Sequence, residues 1–307
     1  MDFLRFLAEF RTPLLDNFFQ IVTRFGEETL FIVIGLIFFW CINKREGYYL
    51  LLVGFIGIIF NQFLKIVFRV PRPWVKDPNF KFVGNSNIEA TGYSFPSGHT
   101  QSSVGVYGGI ARWNKNKIIR IVCILILALV SFSRLYLGVH TPLDVIVSIL
   151  IASALIFIIY PIINKITKND NSLRILIIIS AALSAALLLF LNLFKFPENI
   201  NQENLNSAIE NGYKMLGCIL GIWLSFEIDT RFTHFETKAP IWFQALKLVF
   251  GVIPIFLIKE LLKQPLLNLF DGNLFADCIR YFLMASVAAC LWPMIFSYAS
   301  KKLYKKD

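Results

Sequence analysis

Apolar runs on the scale of a membrane span recur along the whole chain, and they decide what it can fold into. They fall near 28–43, 47–68, 99–113, 118–132, 142–164, 173–194, 208–226, 241–258 and 275–298. Inside a bilayer every backbone N–H and C=O must be satisfied by the protein itself, so serial runs of this kind become helices. A span takes roughly 20 residues, and the first, third and fourth runs are short for one. The expected fold is all-α: a polytopic integral membrane helix bundle with about nine transmembrane helices. A mean hydropathy of +0.63 and 31 phenylalanines in 307 residues exclude an ordinary soluble domain.

The formal charge of +10 does not indicate nucleic acid, because the cations sit in short clusters between the apolar runs. Such clusters set the topology of membrane proteins. Lys44 and Arg45, then Arg112, Lys115, Lys117 and Arg120, then Lys165, Lys168 and Arg174, then Arg231 and Lys238, and finally Lys301, Lys302, Lys305 and Lys306 fall on one side of the alternation. That side is expected to be cytoplasmic, with the N-terminus outside and the C-terminus inside, as in a bacterial cytoplasmic membrane. The opposite side receives the acidic loops with Glu198, Glu203 and Glu210 and with Asp271 and Asp277.

Residues 1–26 alternate Phe and Leu with Asp, Arg and Glu near helical spacing, and Pro13 breaks the run. They are expected to form amphipathic helices on the membrane surface, with packing against protein as the alternative. Residues 27–168 would then form a catalytic core and 169–307 a C-terminal transmembrane extension of four helices. Two roles are open for that extension: shaping lateral access for a lipid tail, or forming a homodimer surface. The five cysteines are widely spaced, without a metal-ligand or disulfide pattern.

Against this apolar background, three polar islands stand out. The first joins Lys65 to Arg72 and Pro73, the second is Pro96-Ser97-Gly98-His99, and the third runs from Ser133 and Arg134 through His140 to Asp144. Two of the three histidines lie in these islands. The alternation of spans predicts that all three open on the same external face. Lys65, Arg72 and Arg134 near a membrane boundary need an anionic partner or a wet cavity, and three cations on one pocket suit a phosphate dianion.

Pro96 to His99 precedes an apolar run, where the unpaired N–H groups of a helix start favour an anion. Gly98 allows close backbone approach, and Ser97 either donates to the anion or caps the helix. Thr141-Pro142-Leu143-Asp144 is expected to open another helix, with Thr141 as N-cap, Pro142 at the first position and an acid at the third. From there Asp144 can also accept from Nδ1–H of His140, leaving Nε2 with a free lone pair as base or nucleophile.

Each island alone is a weak motif, but together they specify eleven residues. Their chance coincidence is on the order of one in a billion. The sequence resembles the type-2 phosphatidic acid phosphatase superfamily, lipid phosphatases whose site is shared with vanadium haloperoxidases. The family patterns KxxxxxxRP, PSGH and SRxxxxxHxxxD are all present without a substitution.

The resemblance implies His140 as nucleophile, Asp144 as its orienting group, and His99 as acid to the leaving alkoxide and base to water. It implies Lys65, Arg72, Ser97, Gly98 and Arg134 as the phosphate cradle, with no metal and no cofactor. The expected substrate is a lipid phosphate or diphosphate among membrane lipids. Transfer of the phosphoryl group to another lipid or glycan, and non-catalytic lipid-phosphate binding or transport, remain alternatives.

Overall fold

The computed structural model describes residues 1–84, 92–165 and 170–303. Lys168, Lys305 and Lys306, and the division at 168/169, lie outside the described residues. Among the described residues the chain is helical, without a strand. Helix occupies each segment that the apolar runs mark out. Among the described residues six helices are long and apolar enough to cross a membrane, or seven if Pro13–Arg24 and Glu28–Ile42, bent by 48°, act as one span. The expected count of about nine is therefore not reached by length and composition. The helical run from Gly98 to Trp113 and the polar-headed helix Gln202–Ile228 are outside that six.

The chain forms two compact units. One contains Met1–Ile32, Ile56–Tyr160 and Lys195–Ala208; the other contains Val33–Phe55, Pro161–Phe194 and Ile209–Asp307.

In the first unit, α1 (Asp2–Glu9) and α2 (Pro13–Arg24) are separated where Thr12 accepts a hydrogen bond from Leu15 N–H and Pro13 opens α2. They pack on the helix Lys117–Tyr136 through the buried Phe19, whose ring lies 4.3 Å from that of Tyr136 and 5.5 Å from that of Phe132. Tyr136 Oη donates to Asp16 at 2.8 Å, and Arg11 donates to the Tyr136 carbonyl at 3.0 Å.

The N-terminal helices thus follow the alternative reading on one face, where Leu4, Leu7 and Phe19 are buried. Their other face, with Phe3, Phe6, Phe10, Leu14 and Ile21, is exposed. Gly26 ends this segment. A Cβ there would lie 2.9 Å from the His99 carbonyl oxygen and 2.7 Å from Val130, so glycine is what lets the bend approach the second island.

The second unit is held by close helix approaches and paired charges. A Cβ on Gly221 would lie 2.7 Å from Phe282 O, and one on Gly217 would come closer still to Cys278 O. Small residues four apart let membrane helices pack backbone to backbone. Lys44 pairs with Asp229 at 2.5 Å, and the Trp40 indole donates to Ala288 O at 2.8 Å. Buried Lys247 donates to the carbonyls of Trp40 and Thr237 at 3.2 and 3.0 Å, so its ammonium is solvated by backbone.

Candidate active site

The three islands meet in the first unit. Lys65 lies on the last turns of the helix Lys44–Phe68, and its buried ammonium donates to the Tyr93 carbonyl. Arg72 directly precedes the short helix Pro73–Lys76 and turns its guanidinium inward. Its Nε donates to Gly92 O at 3.1 Å, and its Nη1 donates to Val139 O at 3.0 Å and to His140 Nε2 at 2.9 Å. Backbone carbonyls are neutral acceptors, so they solvate these cations without cancelling their charge.

His140 sits in the turn between the helices Lys117–Tyr136 and Pro142–Lys165, where its N–H donates to Arg134 O at 3.3 Å. The expected start of the second helix is present. The Thr141 N–H donates to Asp144 Oδ2 at 2.8 Å, which is half of a capping box. The same oxygen lies 3.5 Å from His140 Nδ1, so the capping atom is also the one that faces the imidazole. It also accepts from Ser94 Oγ at 2.6 Å, and Ser94 Oγ is 3.5 Å from Nδ1.

Burial holds the His140 imidazole well below the ordinary histidine pKa, and the charges of Arg72, Arg134 and Lys65 push it the same way. The ring is therefore neutral and has a lone pair to use.

Ser97 caps the Gly98 helix, accepting from Thr100 N–H at 3.4 Å, while its own N–H donates to the Asp144 carbonyl at 3.2 Å. The capping role read from the sequence is thus occupied. A Cβ on Gly98 would meet nothing within 4 Å, so open space lies in front of this helix start. His99 follows half-buried. Arg134, His140, Arg72 and Lys65 are all within electrostatic reach of its ring. Arg134 is buried, and its Nη1 donates to Thr23 Oγ1 at 2.6 Å.

Every singled-out residue belongs to this one cluster, gathered around the Asp144 carboxylate. Sequence reasoning passed over three contributors. Ser94 and Thr23 are isolated hydroxyls with no pattern around them, and Asn61, whose Nδ2 donates to Pro96 O at 3.4 Å, lies inside an apolar run. Only Asn61 carries a sequence signal, as a lone amide in a membrane-length helix.

The sequence model described as PAP2 superfamily matches residues 46–168, and one described as PAP2 superfamily phosphatase, transmembrane extension, matches 213–305. A probable sphingosine-1-phosphate phosphatase of Dictyostelium discoideum is 30% identical over 159 residues, 48% of this chain and 38% of that protein. The chain thus spans less than two fifths of the length of that relative. An undecaprenyl-diphosphatase of Sulfolobus acidocaldarius is 30% identical over 152 residues, 47% of this chain and 68% of that protein. The crystal structure of a PAP2 type phosphatidylglycerolphosphate phosphatase from Bacillus subtilis superposes with a TM-score of 0.47 at 26% identity, covering 54% of this chain and 85% of that one. The matched transmembrane extension and the six apolar helices make the chain an integral membrane protein. With its islands matched in sequence and assembled in space, the chain belongs to the PAP2 superfamily.

Proposed function

We propose that the protein is a metal-independent phosphatase that hydrolyses a lipid phosphate or diphosphate through a phosphohistidine at His140. The observation that carries this reading is the line from Arg72 Nη1 to His140 Nε2 at 2.9 Å and from Nδ1 to Asp144 Oδ2 at 3.5 Å. It sets a phosphate-binding cation, a nucleophilic lone pair and an orienting carboxylate in series.

A phosphoryl group entering between Lys65, Arg72 and Arg134 takes over donors now satisfied by carbonyls and by Thr23. His140 Nε2 attacks phosphorus and the ester P–O bond breaks; His99, protonated once the phosphate dianion offsets the surrounding cations Arg134, Arg72 and Lys65, gives its proton to the leaving oxygen. His99 then takes a proton from water, the hydroxide attacks phosphorus, and the P–N bond breaks. Inorganic phosphate leaves and His140 is restored. The cradle's positive charge stabilises the equatorial oxygens through both steps.

The sign alternation of the connecting segments supports a site on the extracytoplasmic face and a cytoplasmic C-terminus, with about nine crossings if the Glu28–Ile42, Gly98–Trp113 and Gln202–Ile228 segments also cross the bilayer. Residues 27–168 are then the catalytic core, and 169–307 the extension that shapes lipid access or a dimer surface.

The test is phosphate release by the purified protein in EDTA over prenyl, glycerolipid and sphingoid phosphates, beside His140→Ala. Release that the variant lacks, with an acid-labile, alkali-stable phosphate label on the wild type, is expected. Equal release by a correctly folded His140→Ala protein would overturn the mechanism.

A further inference from the structure

The turn from Tyr136 to His140 is held from outside the three islands. The helix Lys117–Tyr136 ends there, with Gly138 at a φ of 78°. The N–H groups of Leu137, Gly138 and His140 donate back to Ser133 O, Leu135 O and Arg134 O, so the helix end satisfies those carbonyls itself. Tyr136 O and Leu137 O lie beyond that reach and need donors from elsewhere. Leu137 O accepts from Val83 N–H at 2.9 Å. Tyr136 O accepts twice from Arg11, from Nη2 at 3.0 Å and from Nε at 3.2 Å. Arg11 Nη1 donates to Lys81 O, so one guanidinium ties the turn to the segment that carries Val83.

Contact at Gly138 is equally direct. A Cβ there would lie 2.6 Å from Arg11 Nη2 and 2.7 Å from the Phe80 ring, so both side chains rest on bare backbone just before His140. The Arg11 guanidinium also lies over the Phe80 ring, 5.4 Å from its centre. All these residues belong to the first compact unit. A cavity of about 970 Å³ that opens from Arg72 toward residues 197–207 belongs to the site already described. A second cavity, of about 640 Å³, opens beside Arg11 and is lined also by Arg5, Asp77 and Lys81. Arg11 is thus half-buried against the turn and can be reached from solvent.

We infer that Arg11 is a positioning residue for His140, acting through the Tyr136 carbonyl. The inference rests on the phosphatase reading and adds to it a residue that lies in none of the islands. On the other side of Gly138, Val139 O is held by Arg72 Nη1 at 3.0 Å, the same atom that meets His140 Nε2. In the proposed reaction phosphate oxygens take that donor over, so the turn loses this hold when His140 has to face phosphorus. Arg11 donates to carbonyls away from the cradle and keeps its hold. Arg72 thus fixes the turn in the empty site, and Arg11 fixes it in the loaded one. A cation at a helix C-terminus is favoured in any protein, so capping alone would give Arg11 a share in stability. Positioning gives it a share in kcat as well.

The experiment measures kcat, KM and Tm of the full-length protein in wild type, Arg11→Ala, Arg11→Lys and Arg5→Ala, on the lipid phosphate of the panel above that wild type hydrolyses fastest. Arg5 lines the same cavity but pairs with Asp77 at 2.8 Å, so Arg5→Ala controls for a change of surface charge. Arg11→Ala is expected to lower kcat about tenfold with KM within about twofold, because a misplaced nucleophile is felt in attack while the cradle is intact. Millimolar guanidinium chloride is expected to restore most of that loss by entering the vacated end of the cavity, and sodium chloride at equal ionic strength is not. Arg11→Lys keeps the charge and the stem but cannot span Tyr136 O and Lys81 O together, so a loss of about threefold, insensitive to guanidinium, is expected. The lysine variant carries the test if alanine costs the fold.

An unchanged kcat in a folded Arg11→Ala protein would overturn the inference, whether or not Tm falls. So would a rise in KM alone, which would place Arg11 with substrate binding, or an equal loss of kcat in Arg5→Ala, which would reduce the effect to surface charge. A loss of kcat that follows Tm and that guanidinium does not relieve would assign Arg11 to packing and overturn it too. In each of these cases wild type still releases phosphate and the phosphatase reading stands. No phosphate release by wild type from any substrate of the panel would instead overturn that reading and this one with it.

Discussion

Arg72 and His140 are joined by a hydrogen bond of 2.9 Å from Nη1 to Nε2. A guanidinium has donors and no acceptor, so the nitrogen it meets carries a lone pair. The neutral ring's proton therefore lies on Nδ1, the atom 3.5 Å from Asp144 Oδ2. In the proposed mechanism the same contact occupies the attacking lone pair until phosphate oxygens draw Arg72 away.

Arg72→Lys tests that double role. Lysine keeps the charge but has no planar fork to reach Gly92 O, Val139 O and a phosphate together. We expect kcat/KM to fall by about 10²-fold, the scale of one lost transition-state donor. Steady-state kinetics on a matched substrate reads this directly. A loss below about threefold would make Arg72 a bystander.

The pH dependence follows from His140. Its pKa is depressed, first by burial and then by Arg72, Arg134 and Lys65, so the neutral imidazole persists below the pH at which a free imidazole titrates. The acid limb of kcat/KM assigned to it is expected below about pH 6.5. Folding stability has the same sign. A depressed pKa contributes fully above the unfolded value of about 6.5 and is lost as pH falls through the folded value. A pH–rate profile and acid-dependent thermal unfolding check both, and a limb at or above pH 6.5 would contradict the geometry.

Ser94 is the unmarked member of the orienting set. Its hydroxyl donates to Asp144 Oδ2 at 2.6 Å and is fully buried. Hydrogen bonds to charged groups contribute about 1.5–3 kcal/mol, so Ser94→Ala is expected to lower kcat about tenfold to a hundredfold. KM should change little, because the cradle is untouched. A change in KM alone would place Ser94 with substrate binding instead.

How much was legible follows from these residues. The islands could be read because a charge or histidine inside membrane-length apolar sequence is costly and therefore informative. Thr141 to Asp144 announced a helix start through local chemistry, and the capping bond is present at 2.8 Å. Ser94 and Thr23 gave no such signal, since a single hydroxyl is cheap anywhere and only the tertiary approach of another segment gives it a role. Residues 197–207 read as an ordinary acidic loop, because the cavity they close exists only once the chain has returned to Arg72. The N-terminal segment was legible as amphipathic, but its burial of Phe19 against Tyr136 depends on a partner helix more than a hundred residues away.

Two glycines separate packing from chemistry. Gly26→Ala would drive a methyl into Val130 and the His99 backbone, and overpacking of this kind costs about 1–3 kcal/mol. Gly98→Ala meets no protein atom within 4 Å, so thermal stability should hold while the methyl occupies the space at the helix start. We expect phosphate release to fall by about tenfold or more for Gly98→Ala without loss of Tm. Full activity in a stable Gly98→Ala protein would remove that space from the substrate path.

Thr23 joins the N-terminal helices to Arg134. Its hydroxyl accepts from Arg134 Nη1 at 2.6 Å, and both side chains are buried. Thr23→Val keeps the shape and removes the acceptor, leaving a guanidinium donor to find another partner in a dry setting. If Thr23 only helps α2 to pack, the variant loses stability and nothing else. If it aims Arg134 at the phosphate, KM rises about tenfold with kcat little changed, since a misaimed cradle weakens binding before it alters the nucleophile. Thr23→Ser, which restores the hydroxyl without the methyl, should recover KM. A KM that stays at the wild-type value in a folded Thr23→Val protein would assign α2 to packing alone.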